Sequence, residues 1–220
     1  VYGQDTEFVG EEFSSKMYAD AAIRFLQSQK DGEQPFLAYI AFTSPHDPRN
    51  QLPAYGQKYN PGALSLPPNY LPQHPFDNGE MEVRDELLVP APRTREQVQK
   101  ELADYYGMIS EVDVQIGRVL QALQETGQAD NTIIVFASDN GLAVGRHGLL
   151  GKQNLYDHSV KVPLTLLAPA YKNRKGEKNN ALCYLHDIAP TLCELANIPL
   201  PESMKAHSLY PVSYTHLTLP

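Results

Sequence analysis

Asp139 and Asn140 stand in FASDNG, at the end of an apolar run. A carboxylate and an amide oxygen are hard ligands, suited to Ca²⁺ or Mg²⁺, but two adjacent ligands cannot fill a shell of six or more oxygens. Read alone, Asp-Asn-Gly after a strand is explained by an Asx turn. Eleven residues after Asn140 come Gly151 and Lys152, within RHGLLGKQNLYDHS. This is not a phosphate-binding P-loop, because Arg146 stands where the first glycine belongs and Gln153 replaces Ser or Thr. Taken singly, Arg146 and Lys152 read as solvated charges, and His147 and His158 as hydrogen-bonded structural histidines. His46 differs, because Pro45 and Pro48 restrict its backbone at the end of a predicted strand. The acid pairs Glu11–Glu12 and Asp85–Glu86 lie in segments that read as solvated. The sequence contains no H-E-x-x-H, G-x-S-x-G or G-x-G-x-x-G.

The elements that must position these residues follow from the apolar pattern. Ser14 or Ser15 can cap a helix running to about Lys30, with Tyr18, Ala22, Phe25 and Leu26 on one face. Pro35 to Thr43 is apolar on both faces and predicts a buried, parallel strand ending in SPHDP. From Pro45 to Pro92 the chain carries ten of its 18 prolines without sustained periodicity. Such a stretch predicts an ordered loop beside a site, anchored by Tyr55, Tyr59, Tyr70 and Phe76. Thr94 to Gln97 forms a capping box for a long helix whose stripe runs through Val98, Leu102, Tyr105, Ile109, Val112, Ile116, Val119 and Leu123 to Gly127. Strands are predicted over Thr132–Ser138 and Val160–Pro169, a surface loop over Tyr171–Asn180, and a helix over His186–Ile198 with Pro190 in its first turn. Helices alternating with fully apolar strands predict an α/β fold with a mainly parallel sheet flanked by helices. Sites in such folds gather beyond the carboxyl ends of the strands, where SPHDP and SDNG both lie.

Bulk properties narrow the function. A formal net charge of -8 leaves no basic stripe to neutralise nucleic-acid phosphates. No apolar run approaches the roughly 18 residues of a membrane span. Cys183 and Cys193 make neither a disulfide framework nor a zinc knuckle and read as small core residues. Val212–Pro220, with Pro211, back-translates naturally to a run containing CTGTCTCTTATACACATCTGACGCTGCC, a transposase adapter of sequencing libraries. Residues 211–220 are therefore expected to be translated adapter and enter no structural expectation. The absence of an initiator Met fits a fragment.

Together the motifs are more specific than their parts. SDNG, followed by H-G-x-x-G-K-x-x-x-Y-[DE]-H-S-x-K-V-P-L, resembles the formylglycine-dependent sulfatases of the alkaline-phosphatase superfamily. PFLAYIAFTSPHDP, DYYGMISEVDVQIGRVL and DIAPTLCELANIPLPESM are similar to segments of the same family. The resemblance extends from Val1 to Leu209 and implies a partial sulfatase catalytic domain over residues 1–210, from the C-terminal side of the full domain.

It implies the following chemistry. A formylglycine hydrate, made from Cys or Ser, attacks a sulfate ester while a divalent cation, Ca²⁺ before Mg²⁺, holds the sulfate oxygens. Asp139 and Asn140 resemble one pair of metal ligands. His46 resembles the histidine beside the ester oxygen, and Lys152 the lysine that contacts sulfate and the leaving oxygen. His147 is expected to line the substrate pocket, and Tyr156, Asp157 and His158 to frame the loop. The substrate would be a sulfated small molecule or glycan, and the location periplasmic or secreted. The family's C/S-x-P-S-R segment, its first Asp-Asp pair and its G-K-W-H segment are absent, so the fragment alone is expected to be inactive. Phosphodiesterase or phosphonate monoester hydrolase chemistry of the same superfamily is the main alternative, and Asn140 in place of a zinc-binding His speaks against it. A non-catalytic anion- or carbohydrate-binding remnant is the other.

Overall fold

The structure is a computed structural model that describes residues 12–170 and 176–210. The expected adapter tail lies outside the described residues, as do Glu11 and half of the basic loop, residues 171–175. The chain forms two compact units, one of Val1–Ala129 with Leu142–Ser159, the other of Asp130–Gly141 with Val160–Pro220.

The first unit is organised by two helices. Helix α1, Ser14–Ser28, buries Ser15, Ala19, Ala22 and Leu26, a stripe at helical spacing. Neither serine caps it. Phe13 is the N-cap, Ser15 is buried, and the Ser14 hydroxyl lies 3.2 Å from Thr43 Oγ1. The Ser15 phase is set by packing, which overrides the capping preference.

The short helices α2 (Pro53–Gly56) and α3 (Arg84–Leu87) lie in the proline-rich stretch that precedes the long helix α4, Arg95–Glu125. The α4 capping box forms as the sequence predicts, with Thr94 Oγ1 accepting from Gln97 N–H and Gln97 Oε1 accepting from Thr94 N–H. Its buried stripe includes Val98, Leu102, Val112 and Leu123, whereas Ile109 is half-exposed. Helix α1 runs alongside in the same direction, tied by Arg118 to Asp20 (2.6 Å) and by Gln128 Nε2 to the Gln29 carbonyl (2.9 Å).

The proline-rich stretch is ordered because α4 supplies its partners. Gln51 reaches Asp104 at 2.5 Å, Tyr59 hydroxyl meets Ser110 at 2.7 Å, and Gln99 donates to the Leu64 carbonyl at 2.7 Å. Gly107 sits under this crossing, where any side chain would collide with Gln51. Of the expected anchors, Tyr59 packs on Tyr106 and Tyr70 donates to the Arg93 carbonyl, while Phe76 stays exposed beside His74.

Residues 35–43 differ from expectation. They are extended but form no ladder among the described residues, and Leu37 and Tyr39 are 83% and 90% exposed. Only one face of the run is covered: Phe36 meets Phe25 and Phe42 meets Tyr18 of α1. A strand buried on both faces needs a sheet around it, and the described residues provide one helix.

In the second unit β1, Ile134–Ala137, pairs with β2, Leu164–Leu167, with Ile134 opposite Leu167 and Ala137 opposite Leu164. Between them in sequence α5, Asp157–Val160, is a single turn. The α/β class is as expected. The one ladder among the described residues is antiparallel, because an apolar run reveals burial but not strand direction. A 3₁₀ turn, Leu185–Asp187, leads into helix α6, Ile188–Leu195, which buries Pro190 and Thr191. Cys193 is partly buried, whereas Cys183 is exposed rather than in a core.

Candidate active site

The loop that carries Lys152 is held from below by a buried ion pair. Glu86 and Arg93 are 4% and 2% exposed and meet at 2.8 Å. Glu86 accepts from the backbone N–H groups of Leu150 and Gly151, while Arg93 donates to the carbonyls of Val89, Glu86 and Gly148. A buried carboxylate and guanidinium are tolerated only with such complete satisfaction. Gly148 has a positive φ of 73°, and a side chain there would run into the backbone of Gln73 and His74.

Asp85, the neighbour of Glu86, points at the reactive end of the loop. Its Oδ2 accepts from Lys152 Nζ and from Gln153 Nε2, both at 3.1 Å. Lys152 Nζ also lies 2.8 Å from His46 Nε2. An ammonium has only donors, so Nε2 is the acceptor and the His46 proton sits on Nδ1. That nitrogen is 2.9 Å from the Asp47 carbonyl and 2.9 Å from the Asp47 carboxylate. Arg84 in turn pairs with Asp47 at 2.6 Å. Burial of Asp85 opposes its ionisation, but the hydrogen bonds from Gln153 and Lys152 and the charges of Lys152 and Arg84 outweigh it and hold the carboxyl below the ordinary range. The result is a row of alternating charge, Arg84–Asp47–His46–Lys152–Asp85, with a neutral imidazole at its centre.

His147 is not in this row. It stacks on Tyr156 (4.1 Å between centroids), and its Nε2 is 2.8 Å from the Asn69 amide. Its backbone is held by the Asn69 carbonyl and by His74, so its positive φ of 53° belongs to a tightly bonded turn. His158 lies behind the same rings. Burial, then the charges of His147 and Arg146, push its pKa down to about 4 from 6.5. The folded state therefore binds this proton less readily than the unfolded chain. Stability conferred by neutral His158 is expected to be lost as pH falls from about 6.5 towards 4. Melting curves at pH 7 and 4.5 check this, since His158→Gln should lose less stability over that interval than the wild type.

Asp139 and Asn140 lie in the second unit, just past β1. Asp139 Oδ1 accepts the Asn140 N–H at 2.9 Å, and the Asn140 amide nitrogen donates to the Gly141 carbonyl at 2.8 Å. Both bonds reach only the adjacent residue, not the backbone two residues on as in an Asx turn, and they tie the Asn140 nitrogen back to the chain. As hard oxygen donors the pair suits two positions of a Ca²⁺ shell. Among the described residues no cluster of three or more His, Cys, Asp or Glu is placed to hold a metal.

Sequence reasoning missed Asp85, Glu86 and Arg93. The two acids were expected in solvent, yet both are buried and bonded. An available signal was the pair of basic residues that bracket them, Arg84 and Arg93.

The first unit thus presents an ammonium–imidazole pair with a carboxylate behind it, donors of a kind that can meet an oxyanion. The family model described as Sulfatase matches residues 2–198, and the chain belongs to the sulfatase family. It is 30% identical over 201 residues to an ulvan-active sulfatase of Formosa agariphila, covering 90% of this chain and 35% of that protein. Among solved structures it resembles the phosphonate monoester hydrolase of Agrobacterium radiobacter, with 26% identity, a TM-score of 0.74 and coverage of 92% and 43% of the two chains. It also shares the fold of BT4656, solved in complex with its substrate D-glucosamine-2-N,6-O-disulfate, at 23% identity and a TM-score of 0.77, covering 94% and 53%. The chain thus spans about a third of the length of that curated relative. Among the described residues no helix is long and apolar enough to cross a membrane.

Proposed function

We propose that the protein containing this chain hydrolyses sulfate esters, and that His46 and Lys152 act on the leaving-group side of the reaction. The observation that carries this reading is the 2.8 Å contact of Lys152 Nζ with His46 Nε2, backed by Asp85. A sulfate ester brings a multiply oxygenated anion whose bridging oxygen gains charge as the S–O bond breaks. Lys152 offers a fixed positive charge to that oxygen and to the sulfate, in a geometry that needs no rearrangement beyond releasing His46. His46, once protonated on Nε2, can deliver that proton to the departing alcohol oxygen. A divalent cation, Ca²⁺ by the chemistry of the donors, would neutralise sulfate oxygens when bound, and Asp139 and Asn140 would contribute two of its ligands. The formylglycine nucleophile and the remaining ligands would come from sequence outside this chain, so the 220-residue chain by itself should show no turnover.

The substrate class we propose is a sulfated sugar, on the strength of the shared fold with the glucosamine-disulfate complex and the kinship with the ulvan-active enzyme. Export to the periplasm or the exterior fits such a substrate. Likeness to a phosphonate monoester hydrolase favours a second reading, cleavage of phosphonate monoesters. Assays of the complete enzyme on an aryl sulfate and an aryl phosphonate monoester decide between them. Faster turnover of the sulfate, with sulfate ion as product, supports our reading. Preference for the phosphonate would reverse it.

A further inference from the structure

We infer that Asp85 is a positioning residue for the proposed hydrolysis: it retains the Lys152 ammonium when His46 is released and allows His46 to carry a proton beside it. The inference rests on the sulfatase reading for its chemical meaning, but its physical basis is the charge row alone.

In the observed arrangement Lys152 donates to His46 Nε2, the nitrogen that must carry the proton for a leaving group. His46 cannot be both the acceptor of this bond and the acid. Before it can act, the ammonium must turn one N–H away from Nε2, and Nε2 must take a proton from solvent, to which the half-exposed ring has access. Later that proton goes to the leaving oxygen and the imidazole returns to its neutral form. Throughout, an ammonium stands next to a ring that becomes cationic.

All the charged groups around His46 bear on that step. Asp47 and Arg84 form one pair, at 2.6 Å, whose charges offset each other on the Nδ1 side. On the Nε2 side, among the described residues, Lys152 is offset by Asp85 at 3.1 Å, which also lies 3.6 Å from Arg84. With Asp85 present, protonating His46 takes the row from neutral to a net charge of about one. Without it, two adjacent cations stand uncompensated. Asp85 is almost fully buried, and Gln153 and the start of α3 hold it, so it cannot follow the ammonium outward. The role is specific in a second way. A carboxylate so near a sulfate site opposes anion binding, so removing its charge should leave KM unchanged or lower while kcat falls. Loss of a merely structural contact would raise KM as well.

The test is an NMR titration of the His46 imidazole in the complete protein, with labelled histidine and His46→Ala to assign the resonance. In Asp85→Asn the midpoint should move to lower pH, because the carboxylate that offsets the neighbouring Lys152 ammonium has gone. Asp85→Glu should restore it. Under turnover, the basic limb of the kcat profile should move the same way. An unmoved midpoint in a folded Asp85→Asn protein overturns the inference. If that variant does not fold, Asp85→Ser reads the same coupling with a smaller side chain: the midpoint should again fall, and an unchanged value overturns the inference. The titration needs no turnover. A shifted midpoint with no sulfate release would therefore overturn the sulfatase reading while leaving the role of Asp85 in the coupling intact.

Discussion

His46→Ala in the complete enzyme is expected to lower kcat on a sulfated sugar by about 10²–10⁴-fold, the usual contribution of a positioned acid. The substitution removes the ring that Lys152 touches and leaves the ammonium on Asp85. Substrate binding should change little, because Lys152 remains charged and available to the sulfate. The size of the loss depends on the leaving group. An alcohol leaves poorly as an alkoxide and needs the proton, whereas an activated phenol with a low pKa needs it far less. The same variant should therefore lose much less activity on a nitrophenyl sulfate than on a sugar sulfate. Lys152→Ala should weaken both, because the positive charge acts on either leaving oxygen. Adding His46→Ala to Lys152→Ala should cost less than the product of the single effects, since the two side chains are in contact. Equal losses of His46→Ala on activated and unactivated substrates would count against an acid role.

Arg93→Ala is expected to destabilise the fold by about 3–5 kcal/mol, the cost of leaving one member of a buried ion pair alone. Arg93 is 2% exposed and satisfies the Glu86 carboxylate together with the carbonyls of Val89, Glu86 and Gly148. No water can replace the guanidinium at all of these acceptors without opening the loop. Arg93→Lys should recover only part of the stability, because a single ammonium cannot span the spread of acceptors that a planar fork reaches. Urea unfolding of the complete protein measures this. A loss below about 1 kcal/mol, the range of exposed pairs, would mean that the Glu86–Arg93 contact does not hold the loop. Activity should fall with stability, because Glu86 bonds the backbone immediately before Lys152.

The parts of this molecule that were legible in sequence are those whose determinants are local. The α4 cap is written in four residues, and the helix begins where they say. His46, Asp139, Asn140 and Lys152 were singled out because their motifs are contiguous and their spacing matches a family pattern. What sequence could not show depends on partners distant along the chain. Asp85 and Glu86 look solvated until residues 148–153, some 65 positions later, fold back over them. The direction of the β1–β2 pairing depends on where the intervening segment lies, which an apolar pattern does not encode. Residues 35–43 have the composition of a buried strand, and that composition anticipates neighbours the described residues do not contain. Ser14 illustrates the reverse case: a local capping preference gave way to a tertiary contact with Thr43.

The central claim is that the His46–Lys152 pair receives the sulfate ester. A crystal structure of the complete enzyme with a bound sulfated sugar tests it most directly. The expected result is an ester or sulfate oxygen within about 3 Å of both Lys152 Nζ and His46 Nε2, with the direct contact between them opened and Asp85 still on the ammonium. A sulfate group bound elsewhere, with the 2.8 Å contact between Lys152 and His46 intact, would contradict the claim.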